Sequence, residues 1–306
     1  MARRGRAKGR DINGILVLDK PQGLSSNSAL QRVKRLFQAN KAGHTGSLDP
    51  LATGVLPLCL GEATKVSQFL LDSDKRYWAQ IKLGVRTDSG DSEGIVIQQN
   101  ENFKVSFETV NNALERFRGE IEQLPPMHSA IKVNGTPLYK LARKGEVIER
   151  EPRQVTVYEI ELKNFTGNEV ELEIFCSKGT YIRTIADDLG QALGCGAHIT
   201  GLRRLKAGVF AEKDCISLAT LEQEVEAQGP EGIERHLVPM DRAVMELPEV
   251  VLPESTASHI KNGQAGFVRH LPEEGLVRLY EEEQFIGIGS IDDDGKVAPR
   301  RLIVGT

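Results

Sequence analysis

Between His44 and Gly54 the sequence reads HTGSLDPLATG. Asp49 is the one acid in that stretch, beside Leu48, Pro50 and Leu51, and no Lys or Arg lies between Lys41 and Lys65 to pair with it locally. An acid so placed either caps a helix, which the following proline suits because proline favours the first helical position, or does chemistry on a substrate. Asp88 and Asp91, in GVRTDSGDSEG, extend the second possibility. Brought together with Asp49 they would make a paired-carboxylate glycosidase or a magnesium site. Beside Gly90 and Gly94 they read more simply as turn formers. Further along, KGTYIRTIADDLGQALG passes from a glycine turn into a helical pattern. That leaves Tyr181 and Arg183 at a strand-to-helix junction, where side chains converge on a site.

Other chemistries are set aside on motif grounds. No GxxxxGK[ST] occurs, and GVRTDSGDSEG lacks the spacing that gathers backbone amides around a pyrophosphate, so neither ATP nor NAD is implied. Cys59, Cys176, Cys195 and Cys215 are widely spaced, with no CxxC and no disulfide framework, and Cys195 with His198 alone makes no metal site. No cofactor and no metal are expected. Asn164, Phe165 and Thr166 match a glycosylation sequon by chance. No apolar run is long enough to cross a membrane and no signal-peptide pattern opens the chain, so the expected location is the cytoplasm.

The net charge of −4 over 306 residues excludes a polycation, and any nucleic-acid contact must come from local patches. One such patch is MARRGRAKGR, residues 1–10, read as a flexible basic arm that lies along phosphates or is simply solvated.

The elements that must position these residues are legible in outline. Ile15 to Leu18 form a buried strand, and KPQG leads into a helix capped by Ser25 or Ser26, with Leu30, Val33, Leu36 and Phe37 on its inner face. GVLPLCLG reads as a short buried strand that Pro57 assigns to an edge or a bulge, and TKVSQFLLD as a helix. KRYWAQIKL alternates: Tyr77, Ala79, Ile81 and Leu83 share the face toward a core or cleft, and Trp78, Gln80 and Lys82 the other. TVNNALERFRG is an amphipathic helix with Val110, Leu114 and Phe117 inward, and QVTVYEIEL and EVELEIFCS are strands. Prolines 248 and 253 mark a boundary, beyond which FVRHL, GLVRLY, FIGIGSI and APRRLIVG predict a small all-strand module with turns such as DDDGK.

At Asp49 the residue pattern itself carries a resemblance. GHTGSLDPLATGVLPLCLGEATK resembles the catalytic motif of the tRNA pseudouridine synthase B family. GILVLDKPQGLSSN, SDKRYWAQIKLGVRTDSGD, GEIEQLPPMHSAIKVNG, SKGTYIRTIADDLG and GLRRLKAG agree with it in order and spacing, and FIGIGSIDDDGKVAPRRLI is similar to the RNA-binding PUA domain of these enzymes. Two departures are His128, where the family usually has tyrosine, and TDS in place of TDT.

The resemblance implies an α+β fold: a mixed, largely antiparallel sheet flanked by helices over residues 11–249, and a β-barrel-like PUA domain over residues 250–306. It implies conversion of uridine to pseudouridine at position 55, in the T-arm of tRNA, without a cofactor, by a monomer. Asp49 matches the essential aspartate, Arg183 its positive partner, and Tyr77 the tyrosine that stacks on the target base. Tyr181 and Leu202 match walls of the base pocket, and His44 the histidine that fills the RNA stack when the base flips out. Whether the acid attacks uracil C6 or ribose C1′, or assists elimination to a glycal, stays open. Lys20, Lys41, Lys75, Arg76, Arg203 and Arg204 are expected phosphate contacts. Two other functions fit part of the pattern: a tRNA-folding protein with catalysis secondary, and a glycosidase releasing free uracil.

Overall fold

The computed structural model describes residues 9–303 except Ala130, Asn134, Arg143, Val147, His270 and Glu273. Most of the basic arm, residues 1–8, lies outside the described residues. Its last member, Arg10, hydrogen-bonds Glu234 and lies 3.5 Å from Glu231, so that cation is engaged with acids of its own chain.

The first strand, β1 (Gly14–Lys20), is apolar and buried on both faces from Ile15 to Leu18. Ser25 then caps α1 (Ser26–Leu36), its hydroxyl accepting from the Ser28 N–H, and Ala29, Leu30 and Val33 face inward. A short β2 (Ala42–His44) pairs antiparallel with β3 (Thr53–Leu60). A 3₁₀ turn over Gly61–Lys65 precedes α2 (Ser67–Asp72), where one continuous helix was expected.

Strand β4 (Lys75–Leu83) alternates buried and half-buried residues throughout, with Tyr77, Ala79, Ile81 and Leu83 inward as the pattern predicts. The hairpin β5 (Val85–Thr87) and β6 (Val96–Gln99) leads to α3 (Phe107–Leu114) and a 3₁₀ turn, which together bury Val110, Leu114 and Phe117. After β7 (Gly119–Gln123), a two-residue ladder of β8 (Lys132–Val133) and β9 (Thr136–Pro137) and a short α4 (Leu138–Ala142), the chain forms the long hairpin β10 (Arg153–Thr166) and β11 (Glu169–Cys176). Helix α5 (Ile182–Ala192) and β12 (Ala197–Ala207) follow, then β13 (Phe210–Ala211), β14 (Ile216–Ser217) and α6 (Leu218–Gln228).

The C-terminal stretch holds β15 (Glu249–Leu252), α7 (Glu254–Lys261), β16 (Gly266–Phe267), β17 (Gly275–Glu281), β18 (Gln284–Ile291) and β19 (Lys296–Leu302). The chain segregates into two compact units: Met1–Asp49, Val55–Asp72 and Gly208–Thr306 in one, Pro50–Gly54 and Ser73–Ala207 in the other.

In the second unit the strands run β12-β4-β11-β10-β7, every neighbour antiparallel, and Thr53 and Gly54 pair in parallel with Arg203 and Arg204 of β12. The approach at that edge dictates a glycine. Gly54 has φ +96°, and a Cβ on it would lie 2.3 Å from the Arg204 carbonyl oxygen.

In the first unit β1 lies between β14, to which it is parallel, and β3. Pro57 therefore sits in an interior strand, which corrects the edge assignment. Its missing N–H is tolerated because it falls just before Leu58–Leu60, which pair with β2, while its carbonyl accepts from both the N–H and the hydroxyl of Thr45, each at 3.2 Å.

The C-terminal strands form a separate, curled sheet in the order β15-β17-β18-β19-β16. Val250, Leu252, Ala257, Ile260, Val277, Leu279, Ile286 and Val297 make its core. Helix α7 corrects the all-strand expectation for this module. It supplies only Ala257 and Ile260 to that core, too few apolar residues to print a helical period on the sequence. The mixed, largely antiparallel sheet flanked by helices, with a β module after it, is the fold class the sequence implies.

Candidate active site

Asp49 caps nothing. A bend at Pro50 and Leu51 follows it, and then β3 begins at Thr53. With the capping role gone, the half-buried carboxylate sits on a loop held by its neighbours. Ser26, a buried residue at the start of α1, donates from Oγ to the Leu48 carbonyl at 3.0 Å and accepts from the Leu48 N–H at 2.7 Å. One hydroxyl thus satisfies both backbone groups of the residue before Asp49. At the other end of the loop Thr45 is tied to Pro57 as described, and His44 closes β2 opposite Leu58. His44 and Asp49 are therefore brought onto one loop, anchored at both ends.

Tyr77, Leu202, Tyr181 and Arg183 belong to the other unit. Tyr77 lies on β4 between Ile174 of β11 and Arg204 of β12, and Leu202 lies opposite Ala79. Residues paired across strands share a face, as do alternate residues of one strand, so Tyr77, Ala79, Leu202 and Arg204 line the same side of the sheet. Tyr77 and Leu202 are each 9% exposed, an aromatic and an aliphatic wall suited to a flat ring. Tyr181 is the residue from which α5 starts, half-buried and extended at φ −99°, ψ 108°.

Arg183, the second residue of α5, is 6% exposed. Its guanidinium donates from Nη1 to the Ser89 carbonyl at 2.9 Å and from Nη2 to the His128 carbonyl at 2.7 Å, and Nη1 stands 3.7 Å from Asp91 Oδ2. Asp91 is itself buried and accepts from the Ser89 hydroxyl at 2.6 Å and the Glu93 N–H at 3.1 Å. Gly90, at φ +75°, lets the loop pass so close that a Cβ there would be 3.3 Å from the Arg183 Cβ. A charge this deep persists because each of these groups accepts from it or balances it.

The turn reading thus holds for Asp88, which accepts from the Ile95 N–H at 2.8 Å, and is incomplete for Asp91, a buried counter-ion. Sequence reasoning missed that role, and it missed Ser26 as the loop anchor. The sign for Ser26 was present, because two serines start α1 and only one is needed to cap it. The departure at His128 is harmless to the contact seen there, since the acceptor is main chain.

Four of the expected phosphate contacts are engaged inside the protein. Lys20, fully buried, donates to the carbonyls of Pro21 and Leu24. Lys75 donates to the Ser73 carbonyl, and Arg76 pairs with Glu159 at 2.6 Å and Glu173 at 2.8 Å. Arg204 is 1% exposed beside Tyr77. Lys41 remains exposed, and Arg203 half-buried with Nη1 3.4 Å from the Thr53 hydroxyl. Among the described residues no group of three or more His, Cys, Asp or Glu is gathered as for a metal ion, and no helix is long and apolar enough to cross a membrane.

Known proteins share this sequence over nearly its whole length. Three family models match in succession: the N-terminal domain of TruB family pseudouridylate synthases over residues 34–182, the tRNA pseudouridylate synthase B C-terminal domain over 183–245, and the C-terminal domain of pseudouridine synthase II TruB over 248–303. A tRNA pseudouridine synthase B of Yersinia pestis (strain Pestoides F) is 55% identical over 309 residues, spanning 98% of this chain and 95% of that one. The protein of the same description from Tolumonas auensis is 54% identical, spanning 99% and 96%.

Among solved structures, the chain is similar to one in a Cbf5-Nop10-Gar1 complex, with TM-score 0.72 and 27% identity over 94% of this chain and 84% of that one. It is also similar to one in an H/ACA RNP bound to a substrate RNA containing 2'-deoxyuridine, with TM-score 0.73 and 26% identity over 95% and 85%. The matches extend across both compact units. The chain belongs to the TruB family of pseudouridylate synthases, isomerases that act on uridine in tRNA.

Proposed function

We propose that this enzyme converts the T-arm uridine at position 55 of tRNA to pseudouridine, with Asp49 as the essential carboxylate. The observation that carries the reading is the Asp49 loop: a half-buried acid with no helix to cap, in a motif matching the family's catalytic one, fixed through the backbone of Leu48. The N1–C1′ bond breaks, the uracil turns, and a C5–C1′ bond forms. The C5 proton leaves to solvent and N1 gains one, so neither oxidant nor cofactor is consumed. The detached base has to be held and the sugar or ring steadied, which a fixed carboxylate does as nucleophile or as stabiliser of positive charge. Arg183, held by the carbonyls of Ser89 and His128 and by Asp91, is the arginine that the family resemblance names as the positive partner of this acid.

Flipping the base out of a folded tRNA costs a few kcal/mol of unstacking. Tyr77, Tyr181 and Leu202 recover part of this by stacking on and enclosing the ring, and His44 by filling the space the base leaves. The protein acts as a cytoplasmic monomer, with a catalytic domain over residues 11–249 and an RNA-binding PUA module over residues 250–306.

The test uses tRNA tritiated at uridine C5. The intact protein releases label, whereas Asp49→Asn binds tRNA and is slower by about a thousandfold or more. A tRNA with cytidine at the T-arm position releases none, and product mass is unchanged, since isomerisation, unlike base loss, conserves it. Full turnover by Asp49→Asn, or free uracil as product, would sink the assignment.

A further inference from the structure

We propose that Gln123 is a positioning residue that aims Tyr181 at the flipped base, an inference that rests on the reading of Tyr181 as a wall of the base pocket. Gln123 is the last residue of β7, paired with Arg153 of β10, and 2% exposed. Its side-chain amide grips one residue twice. Oε1 accepts from the Tyr181 N–H at 2.9 Å, and Nε2 donates to the Tyr181 carbonyl at 3.3 Å. Only one orientation of the amide satisfies both bonds, so the geometry fixes the assignment of its O and N atoms.

The need for such a grip follows from where Tyr181 sits. It is the cap residue of α5, yet its own side chain makes no capping hydrogen bond, and its carbonyl already accepts from the N–H groups of Thr184 and Ile185. An aromatic cap has no oxygen close enough to the backbone to do what Ser25 does for α1. Gln123 satisfies the N–H that would otherwise be orphaned and adds a bond to the carbonyl that starts the helix. The two bonds lie on either side of the Tyr181 Cα, so they fix the direction of its Cα–Cβ bond, from which the ring projects. Among side chains of this length, glutamine alone both donates and accepts: glutamate at neutral pH only accepts, and leucine does neither. The sequence spends a polar residue at a buried position where an aliphatic one would pack, and the bonds to Tyr181 are its return.

A double-mutant cycle tests this, read as single-turnover tritium release at saturating tRNA, with tRNA affinity measured beside it. Gln123→Leu is expected to slow release by about tenfold while the Kd for tRNA stays within about twofold, because a misaimed ring costs rate rather than docking. In a Tyr181→Ala background the same substitution is expected to change the rate by less than about twofold, there being no ring left to aim. Gln123→Glu, which keeps the acceptor, is expected to fall between glutamine and leucine. It serves the same cycle should Gln123→Leu fail to fold.

Equal losses in the two backgrounds, a loss confined to tRNA affinity, or a wild-type rate for both Gln123 variants while Tyr181→Ala is slow would overturn the role of Gln123 alone. A wild-type rate for Tyr181→Ala would overturn the pocket reading, and the proposal with it.

Discussion

Arg183 carries its charge into the interior and is held there by its own guanidinium, bonded to the carbonyls of Ser89 and His128 and balanced by Asp91, whereas Asp49 is half-buried on a loop anchored through the main chain of Leu48. The two residues that the functional reading pairs are thus secured in opposite ways. The cation is part of the packing of its unit, and removing it leaves two carbonyls and a carboxylate without their partner. The acid is half-buried, on a loop whose backbone its neighbours tie down.

The largest expected effect separates the two directly. Arg183→Met strands Asp91 in a buried position and should cost about 3 kcal/mol or more of stability, as breaking a buried ion pair from one side does. Asp49→Asn, isosteric and still able to accept a hydrogen bond, should cost less, about 1 kcal/mol or under. Urea unfolding of the two variants measures both, and equal losses would break the comparison.

A smaller effect sharpens it from the side of the acid. Ser26→Ala removes the hydroxyl that serves both backbone groups of Leu48, and should cost about 2 kcal/mol for the groups left unsatisfied. Tritium release should slow as well, because the loop that presents Asp49 loses its anchor. Ser25→Ala is the control. It removes the helix cap, worth about 1 kcal/mol, and leaves the Leu48 contacts in place, so its release rate should remain near wild type. A rate loss as large in Ser25→Ala as in Ser26→Ala would mean that α1 as a whole, and not one hydroxyl, sets the loop.

How far these arrangements could be read from the sequence depended on the distance over which each is decided. The alternation of β4, the cap of α1 and the inward face of Val110, Leu114 and Phe117 are set by residues within a few positions of one another, and all three were legible. Asp88 and Asp91 stand in nearly the same local setting of serine and glycine, yet one closes a turn and the other is buried against a guanidinium from a helix far along the chain. Nothing local distinguishes them. Arg204 had the look of a surface cation for the same reason, since its burial is decided by a strand pairing that a short window does not contain, whereas Lys20 is held by carbonyls only one and four residues on. The candidate site is legible as a motif through family resemblance, while the groups that hold it became visible only once the chain had folded.

The smallest expected effect tests the claim about Arg183 most narrowly. His128 stands where the family usually has tyrosine, and its side chain is half-buried, but what reaches Arg183 Nη2, at 2.7 Å, is its carbonyl. A carbonyl is common to every residue type, so His128→Tyr should leave that bond intact. Stability should then change by less than about 0.5 kcal/mol, and tritium release should stay near the wild-type rate. If His128→Tyr instead alters release several-fold at unchanged stability, the side chain at this position takes part in handling the RNA, and main-chain support of Arg183 is only half of what the segment does. If it lowers stability as Arg183→Met does, the guanidinium depends on the imidazole after all, and the contrast between a cation held by main chain and an acid held by its neighbours fails at its stronger end.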